Sequence, residues 1–477
     1  MYTQSQSLLS RSGKLPTEGY YFLGYGTNIT SAQAFSEQEV QSLYGFAQVG
    51  YKDMVYFDAT ARNDWSSTLP VENNSYFYPS FGISGLISEM YDLPDWFTFA
   101  KVRGSWAQVG KAADPYAIDE SFTISTWNYN LLNGNVKSVL VNKDLKPEIS
   151  SSFELGTDLR FLNNRIGLDF TYYNENTTNQ ILRVPTDQST GYSEKLINAG
   201  RISNKGIEIM LNTTPVKKSD FTFEMNFNFA KNTTLLEDLD NDLKVYSFGG
   251  LNNSVDVIGI EGEKMGDIRG SVYKRDASGR IIAGADGLPM RQDSLVTIGN
   301  IQADFTGSVL LKATYKGFYV GALISMQQGG EIFSATEAAA TSAGNSLRTT
   351  ENDRMSFFFD GPLEDGSLNT TMVTAQQYWT RVASINEEFI YDASYMKLRE
   401  ITLGYNLPQK MLKKLNKEPI KSARIAVFGR NLFYFYKHTP GTVPDASAYS
   451  NSYAAQAFDF APVPATRTFG ISLDVAF

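Results

Sequence analysis

The residue types that carry enzymatic or metal chemistry are scarce in this chain. Its 477 residues include one histidine and no cysteine, so disulfides and thiolate metal sites are excluded and a histidine-based metal centre nearly so. His438 stands between Lys437 and the turn Thr439-Pro440-Gly441. It would have to be the base of any serine–histidine pair, yet no Gly-x-Ser-x-Gly elbow lies near a strand end to supply the nucleophile, and it reads as a loop residue. Asp238, Asp240 and Asp242 alternate as calcium ligands do. Leu243, however, stands where an EF-hand loop needs glycine, and Gly249 where it needs an acid. The run reads as a solvated acidic turn, so no metal and no cofactor are expected. Aromatic side chains in polar surroundings are the remaining candidates for ligand contact: Trp127 and Tyr129, Tyr378 and Trp379, and Tyr434 and Tyr436 around Phe435. Such rings can stack on sugars or on peptide side chains. They also serve to fold a loop onto itself or to form an interfacial girdle.

The elements that must position these residues are strands. In Phe221, Phe223, Met225, Phe227 and Phe229 every second residue is large and apolar, with Thr222, Glu224, Asn226 and Asn228 between them. This is the period of a strand with one apolar and one wet face. It returns at Phe153 to Phe161, at Ile166 to Tyr173, and at the chain end, where Phe469, Ile471, Leu473, Val475 and Phe477 alternate with small and polar residues. Phe77, Pro79, Phe81, Ile83 and Ile87 form another apolar row, set against Tyr78, Ser80, Ser84 and Ser88.

From Leu43 onward about 13 strands can be read, joined by connections that are alternately short and long. Tight links fall at Tyr51 to Asp53, Leu162 to Asn164, Pro215 to Asp220 and Tyr315 to Gly317, and longer ones on the same side at Met90 to Trp96 and Leu407 to Lys421. Between them lie the long connections 110–146, 232–301, 327–391 and 433–466, with shorter members at 64–75 and 184–199. One rim of an up-and-down sheet is thus trimmed and the other carries large loops, which is the asymmetry of outer-membrane barrels. Within 232–301, Ser278-Gly279 and Asp286-Gly287 read as hairpin turns. Asn198, Asn204, Lys205 and Glu208, with Gly200 and Gly206, read as turn and bulge chemistry at a strand entry. Residues 1–42, rich in Ser, Gly, Thr and Gln, give no firm strand and read as a loop preceding the first complete one.

Composition limits the alternatives. A negative mean hydropathy and the lack of an 18-residue apolar run exclude membrane-spanning helices but not a barrel, whose strands hide their apolar residues among polar alternates. The 27 Tyr and 31 Phe supply material for aromatic girdles. A net charge of -9 argues against nucleic acid as a partner. Residues after Met1 have neither the basic start nor the apolar core of a signal peptide.

Several stretches resemble the C-terminal barrel of the SusC/RagA family of TonB-dependent outer-membrane transporters of Bacteroidetes. They are Asp392-Ala-Ser-Tyr-Met-Lys-Leu-Arg-Glu-Ile-Thr-Leu-Gly-Tyr-Asn-Leu-Pro408, Ala423-Arg-Ile-Ala-Val-Phe-Gly-Arg-Asn-Leu-Phe433, Asn198-Ala-Gly-Arg-Ile-Ser-Asn-Lys-Gly-Ile-Glu208, Leu145-Lys-Pro-Glu148 and Pro464-Ala-Thr-Arg-Thr-Phe469. They come in the family's order. The resemblance implies an all-β, antiparallel transmembrane β-barrel in which residues 43–477 are the C-terminal strands. If such barrels have about 22 strands, roughly nine lie outside this chain, together with the plug, the TonB box and the signal sequence. A C-terminal fragment or a truncated gene product is therefore expected. The charges Lys101, Arg103, Glu154, Asp158 and Arg160 are expected on the lumen side, because a lipid-facing charge costs about 2–4 kcal/mol at the bilayer midplane.

The implied function is the barrel wall of an importer of oligosaccharides or peptides, without catalysis. The implied partners are a SusD-like surface lipoprotein, the TonB-ExbB-ExbD energy complex, outer-membrane lipid and the barrel-assembly machinery, which would read Phe477 as an insertion signal. Ca2+ in the extracellular loops is a further implication of the resemblance. A secreted or surface all-β binding protein such as a lectin or adhesin, and an outer-membrane barrel enzyme, are the competing classes.

Overall fold

The computed structural model describes the chain outside residues 12, 15–21, 24–26, 128–130, 137, 240–242, 252–253, 409–410, 413–419, 442, 446–451 and 477. Among the described residues, fourteen strands form one sheet whose hydrogen-bonded neighbours follow one another in chain order. They are β1 (Tyr2–Arg11), β2 (Thr30–Tyr51), β3 (Val55–Ser66), β4 (Ser75–Leu86), β5 (Phe97–Lys111), β6 (Glu148–Phe161), β7 (Ile166–Thr178), β8 (Arg201–Lys217), β9 (Phe221–Asp238), β10 (Phe305–Tyr315), β11 (Phe318–Gln328), β12 (Tyr395–Asn406), β13 (Ser422–Lys437) and β14 (Thr468–Ala476).

The strands from β2 onward match the reading from Leu43. Within residues 1–42, expected to be loop, the structure has two strands: β1 at Tyr2–Arg11, and β2, which begins at Thr30 and pairs with it antiparallel, from Tyr2 opposite Glu39 to Arg11 opposite Thr30. Tyr2-Thr-Gln-Ser-Gln-Ser has no apolar alternation, so its strand character comes from ladder hydrogen bonds to β2, which periodicity does not register.

Trimmed turns set the register. Tyr315 pairs with Phe318, leaving Lys316 at φ 47° and Gly317 at φ 91°, the two left-handed positions of a hairpin turn that follows strand twist. From there the β9–β10–β11 registers run unbroken, Phe221 opposite Tyr315 through Ala230 opposite Thr306, and Phe305 opposite Gln328. Because paired residues share a face, Glu224 with Lys312 and Asn228 with Ser308 lie on one side, while Met225 with Leu311 and Phe227 with Val309 lie on the other.

The chain forms two compact units. One comprises Met1–Ile83, Gly104–Phe153 and Glu175–Arg201. Its buried cluster of Leu69, Tyr76, Ala113, Val139, Leu145 and Leu196 is drawn from the connections rather than from the middle of the sheet. On its strands Phe57, Phe81 and Trp106 form an exposed stacked row with centroids 6.4 and 6.2 Å apart.

The other unit comprises Ser84–Arg103, Glu154–Asn174 and Ile202–Phe477. Here the long connections are folded structures. Residues 232–301 hold a four-stranded sheet of Val245–Leu251, Val255–Ile260, Asp267–Gly270 and Val296–Asn300. Residues 327–391 hold the helices α1 (Ala335–Ser342) and α2 (Ala375–Val382), the second closed by a Thr374–Gln377 capping box. Glu331–Ser334 pairs antiparallel with Ile390–Asp392 and parallel with Phe458–Asp459, so 433–466 is knitted to 327–391. One core then serves all three connections: Val257 and Ile268 from the first, Trp379, Val382 and Phe389 from the second, and Phe458 from the third.

Candidate functional site

The two faces of the sheet differ in chemistry. In the second unit one face carries bonded polar pairs: Glu224 with Lys312 at 2.8 Å, Glu400 with Arg430 at 2.7 Å, and Arg424 with Asp474 at 3.2 Å. Arg103 grips Asp169 with both guanidinium nitrogens at 3.0 Å and donates to Thr171 as well. A Cβ on Gly156 would come within 2.6 Å of the same guanidinium, which puts that strand position on the Arg103 face, and Asp158 and Arg160 pair with each other two and four residues on. The opposite face is apolar and open. Ile401, Leu403, Ile425, Val427, Ile471 and Leu473 stand in register across β12 to β14 with 42 to 74% of their surface exposed. A continuous exposed apolar face of this kind is stable only against another apolar medium.

On the polar face, where strands meet long connections, a buried carboxylate organises the site. Asp445, in the 433–466 connection, lies 3.0 Å from Lys397 Nζ and 2.9 Å from an Arg399 guanidinium nitrogen, and it accepts a hydrogen bond from the Tyr434 hydroxyl. The side chains of Lys397 and Asp445 are 3% and 9% exposed, so each charge depends on the other. Bulges place the cations: the β12–β13 register shifts at Met396/Lys397 and again at Leu398/Glu400, and Lys397 comes opposite Tyr434 with its ammonium 4.9 Å from the ring centroid. Burial raises the Asp445 pKa, but the Tyr434 and Lys397 hydrogen bonds and the neighbouring cations outweigh it and hold the carboxyl below its ordinary value.

Beside this group opens a cavity of about 460 Å3 lined by the ends of β9, β10 and β11 and by both later connections. Gln302 is fixed in its wall: its side-chain oxygen accepts from Thr234 N at 2.9 Å, and its amide donates to the carbonyls of Thr234 and Met265 at 2.7 and 2.6 Å. Asn232 accepts from Tyr173 and donates to Thr234. Glu331 accepts from the Asn300 amide at 2.7 Å. Tyr453 lines the same space, its phenol pushed up to about 12 by burial, with the Asp267 charge adding to the shift.

The sequence candidates divide. Tyr434 belongs to the Asp445 group, and the Tyr436 hydroxyl reaches Gln328 at 3.5 Å while its ring meets His438 edge-on. Tyr378 and Trp379 sit on α2. Trp379 is 8% exposed within the shared core, and Tyr378 packs on Phe357, Phe359 and Trp379, so this pair folds the connection onto itself. Trp127 ends a strand, Phe122–Trp127, paired with Leu131–Val136. Tyr129 and Phe477 lie outside the described residues, as do Asp240 and Asp242. His438 lies 3.9 Å from Asp392. Among the described residues no group of three or more His, Cys, Asp or Glu is arranged to hold a metal ion.

Asn198 works as a staple in the first unit, donating to the carbonyls of Lys146 and Asn179 and accepting from Lys146 N. In the second unit Asn204 accepts from Thr234 and Lys205 stands 3.9 Å from Glu237. Gly206 is required by close approach, since a Cβ there would meet the Tyr173 hydroxyl at 2.4 Å and the Lys231 carbonyl at 2.5 Å. Asp445, Lys397, Arg399 and Glu331 were not singled out from sequence. The available signal was two cations at alternate positions of one strand face, which demand an anion from elsewhere.

Comparison with known proteins fits this construction. Residues 6–432 match the family model described as TonB dependent receptor-like, beta-barrel. TonB-dependent receptor P3 of Formosa agariphila is 27% identical over 487 residues, covering 95% of this chain and 47% of that protein. TonB-dependent receptor SusC of Bacteroides thetaiotaomicron is 21% identical, covering 91% of this chain and 43% of that protein. The chain thus spans about half the length of the curated relatives it matches. Among solved structures, the RagAB peptide importer in its closed-closed state superposes with a TM-score of 0.75 at 19% identity, over 99% of this chain and 52% of that one.

Proposed function

Because this chain belongs to the TonB-dependent receptor-like β-barrel family of outer-membrane proteins, we propose that it builds barrel wall for an energy-coupled importer of oligosaccharides or peptides. The observation that carries the reading is the two-faced sheet. Its apolar face suits lipid, while the other is laid with bonded charge pairs that suit a wet or protein-filled interior. The folded long connections crown the polar face with a preformed core and cavity, as expected where a solute is received from outside. In this reading the chain binds and guides and performs no catalysis. It works with a SusD-like surface lipoprotein and with the TonB-ExbB-ExbD complex, partners to which the likeness to SusC and RagAB points.

The test is deletion of the gene in the producing organism, followed by uptake of fluorescent oligosaccharides and peptides with and without a protonophore. Loss of protonophore-sensitive uptake of one class, restored by the intact gene, is expected. Uptake equal to that of the parent for every solute of both classes would contradict the proposal.

A further inference from the structure

We propose that the cavity beside Asp445 is a subsite for a neutral sugar ring, which makes oligosaccharide rather than peptide the solute class. The proposal rests on the importer reading above. Its first support is the division of labour among the lining groups. Asn232 and Gln302 are committed to fixed bonds within the wall, and Asp445 is held by its ion pairs with Lys397 and Arg399. Available to a ligand are the second oxygen of Glu331, the side-chain amide of Gln456 and the hydroxyl of Tyr453, the last two without a hydrogen-bond partner among the described residues, while the Gln327 amide donates to the Gly329 carbonyl at 3.4 Å. Carboxylates and amides around a cavity match the paired donors and acceptors of adjacent hydroxyls. Ile301 and Ile332 add an apolar surface for the C–H side of a ring.

The alternatives fit less well. An extended peptide is usually taken up by main-chain pairing along an open strand edge, and the strand ends at this cavity are already paired, Ala230 with Thr306, Thr306 with Gln327, and Glu331 with Asp392. An anionic ligand would meet the carboxylate of Glu331, which has no ion pair among the described residues, while Lys397 and Arg399 are turned onto Asp445. The volume of about 460 Å3 lies within the usual range for small-ligand sites.

The experiment uses the transporter complex purified from outer membranes. Binding of neutral tetra- to octasaccharides of glucan, mannan and xylan type is measured beside a library of peptides of similar mass, and uptake of the same probes is followed in cells. Glu331→Gln and Gln456→Ala are the test variants, Val463→Ala is the control, and the unboiled gel mobility of each reports folding. The expected result is binding of at least one neutral oligosaccharide, weakened about tenfold or more by Glu331→Gln with folding intact and the control unchanged. Oligosaccharide binding that neither variant alters would overturn the subsite. Peptide binding and uptake without oligosaccharide uptake would overturn the solute class while leaving the importer standing. Uptake of neither class would remove the importer reading and this inference with it.

Discussion

At the scale of single residues, Asp445 is the most exacting position. Replacing it by alanine leaves the almost fully buried Lys397 ammonium without its anion, a change that costs about 3–5 kcal/mol where a buried pair is broken. The expected outcome is faster protease cutting between residues 437 and 467 on intact cells, followed by mass spectrometry. Cutting at the parent rate would show that the pair does not hold the connection. The carboxyl is lowered in the folded chain, so its contribution is complete above the ordinary carboxylate value and is lost as the pH falls through the lowered one. Protection of the connection is therefore flat from about pH 8 to 5 and falls only in stronger acid, and Asp445→Asn removes that acid step. Of this group only Tyr434 was legible in sequence, because aromatics advertise themselves while an aspartate in Thr-Val-Pro-Asp does not. The cationic partners of Asp445 come from β12, Lys397 standing 48 residues upstream, a separation that only the fold closes.

At the scale of elements, strands were legible and their connections were not. Alternation located the strands because one face must be apolar along its whole length. It failed for β1, whose residues lack an apolar face, and in 327–391, where two eight-residue helices and two-residue strands are too short for a period to show. The aromatics in that connection were candidates for ligand contact, yet Trp379 is core. Trp379→Ala should cost about 3–5 kcal/mol and open the shared core, read as a lowered temperature for loss of protease resistance in 232–301 and 433–466. Tyr436→Ala, at 39% exposure, should leave that temperature nearly unchanged. On the strands, Phe81→Lys puts a charge into the exposed aromatic row and costs about 2–4 kcal/mol if that row meets the bilayer midplane. The fraction of heat-modifiable, folded protein should fall, whereas Ser80→Lys on the opposite face should be tolerated. Equal effects of the two would refute the assignment of faces.

At the scale of the whole chain, fold and family emerge from the same facts: one sheet whose strands pair in chain order, connections that are alternately short and long, and, in the second unit, two faces of opposite chemistry. What the motifs could not convey is that the connections carry most of the buried core, since burial there arises from packing three distant segments together. The absence of cysteine permits a direct test of the arrangement. Single cysteines are placed at Val463, 88% exposed in the 433–466 connection, and at Lys316 in the two-residue turn, and a membrane-impermeant maleimide is applied to intact cells and to lysed cells. The expected result is labelling of Val463→Cys on intact cells and of Lys316→Cys only after lysis, with both proteins in the outer-membrane fraction. Equal labelling of the two positions on intact cells, or labelling of Lys316→Cys alone, would contradict it.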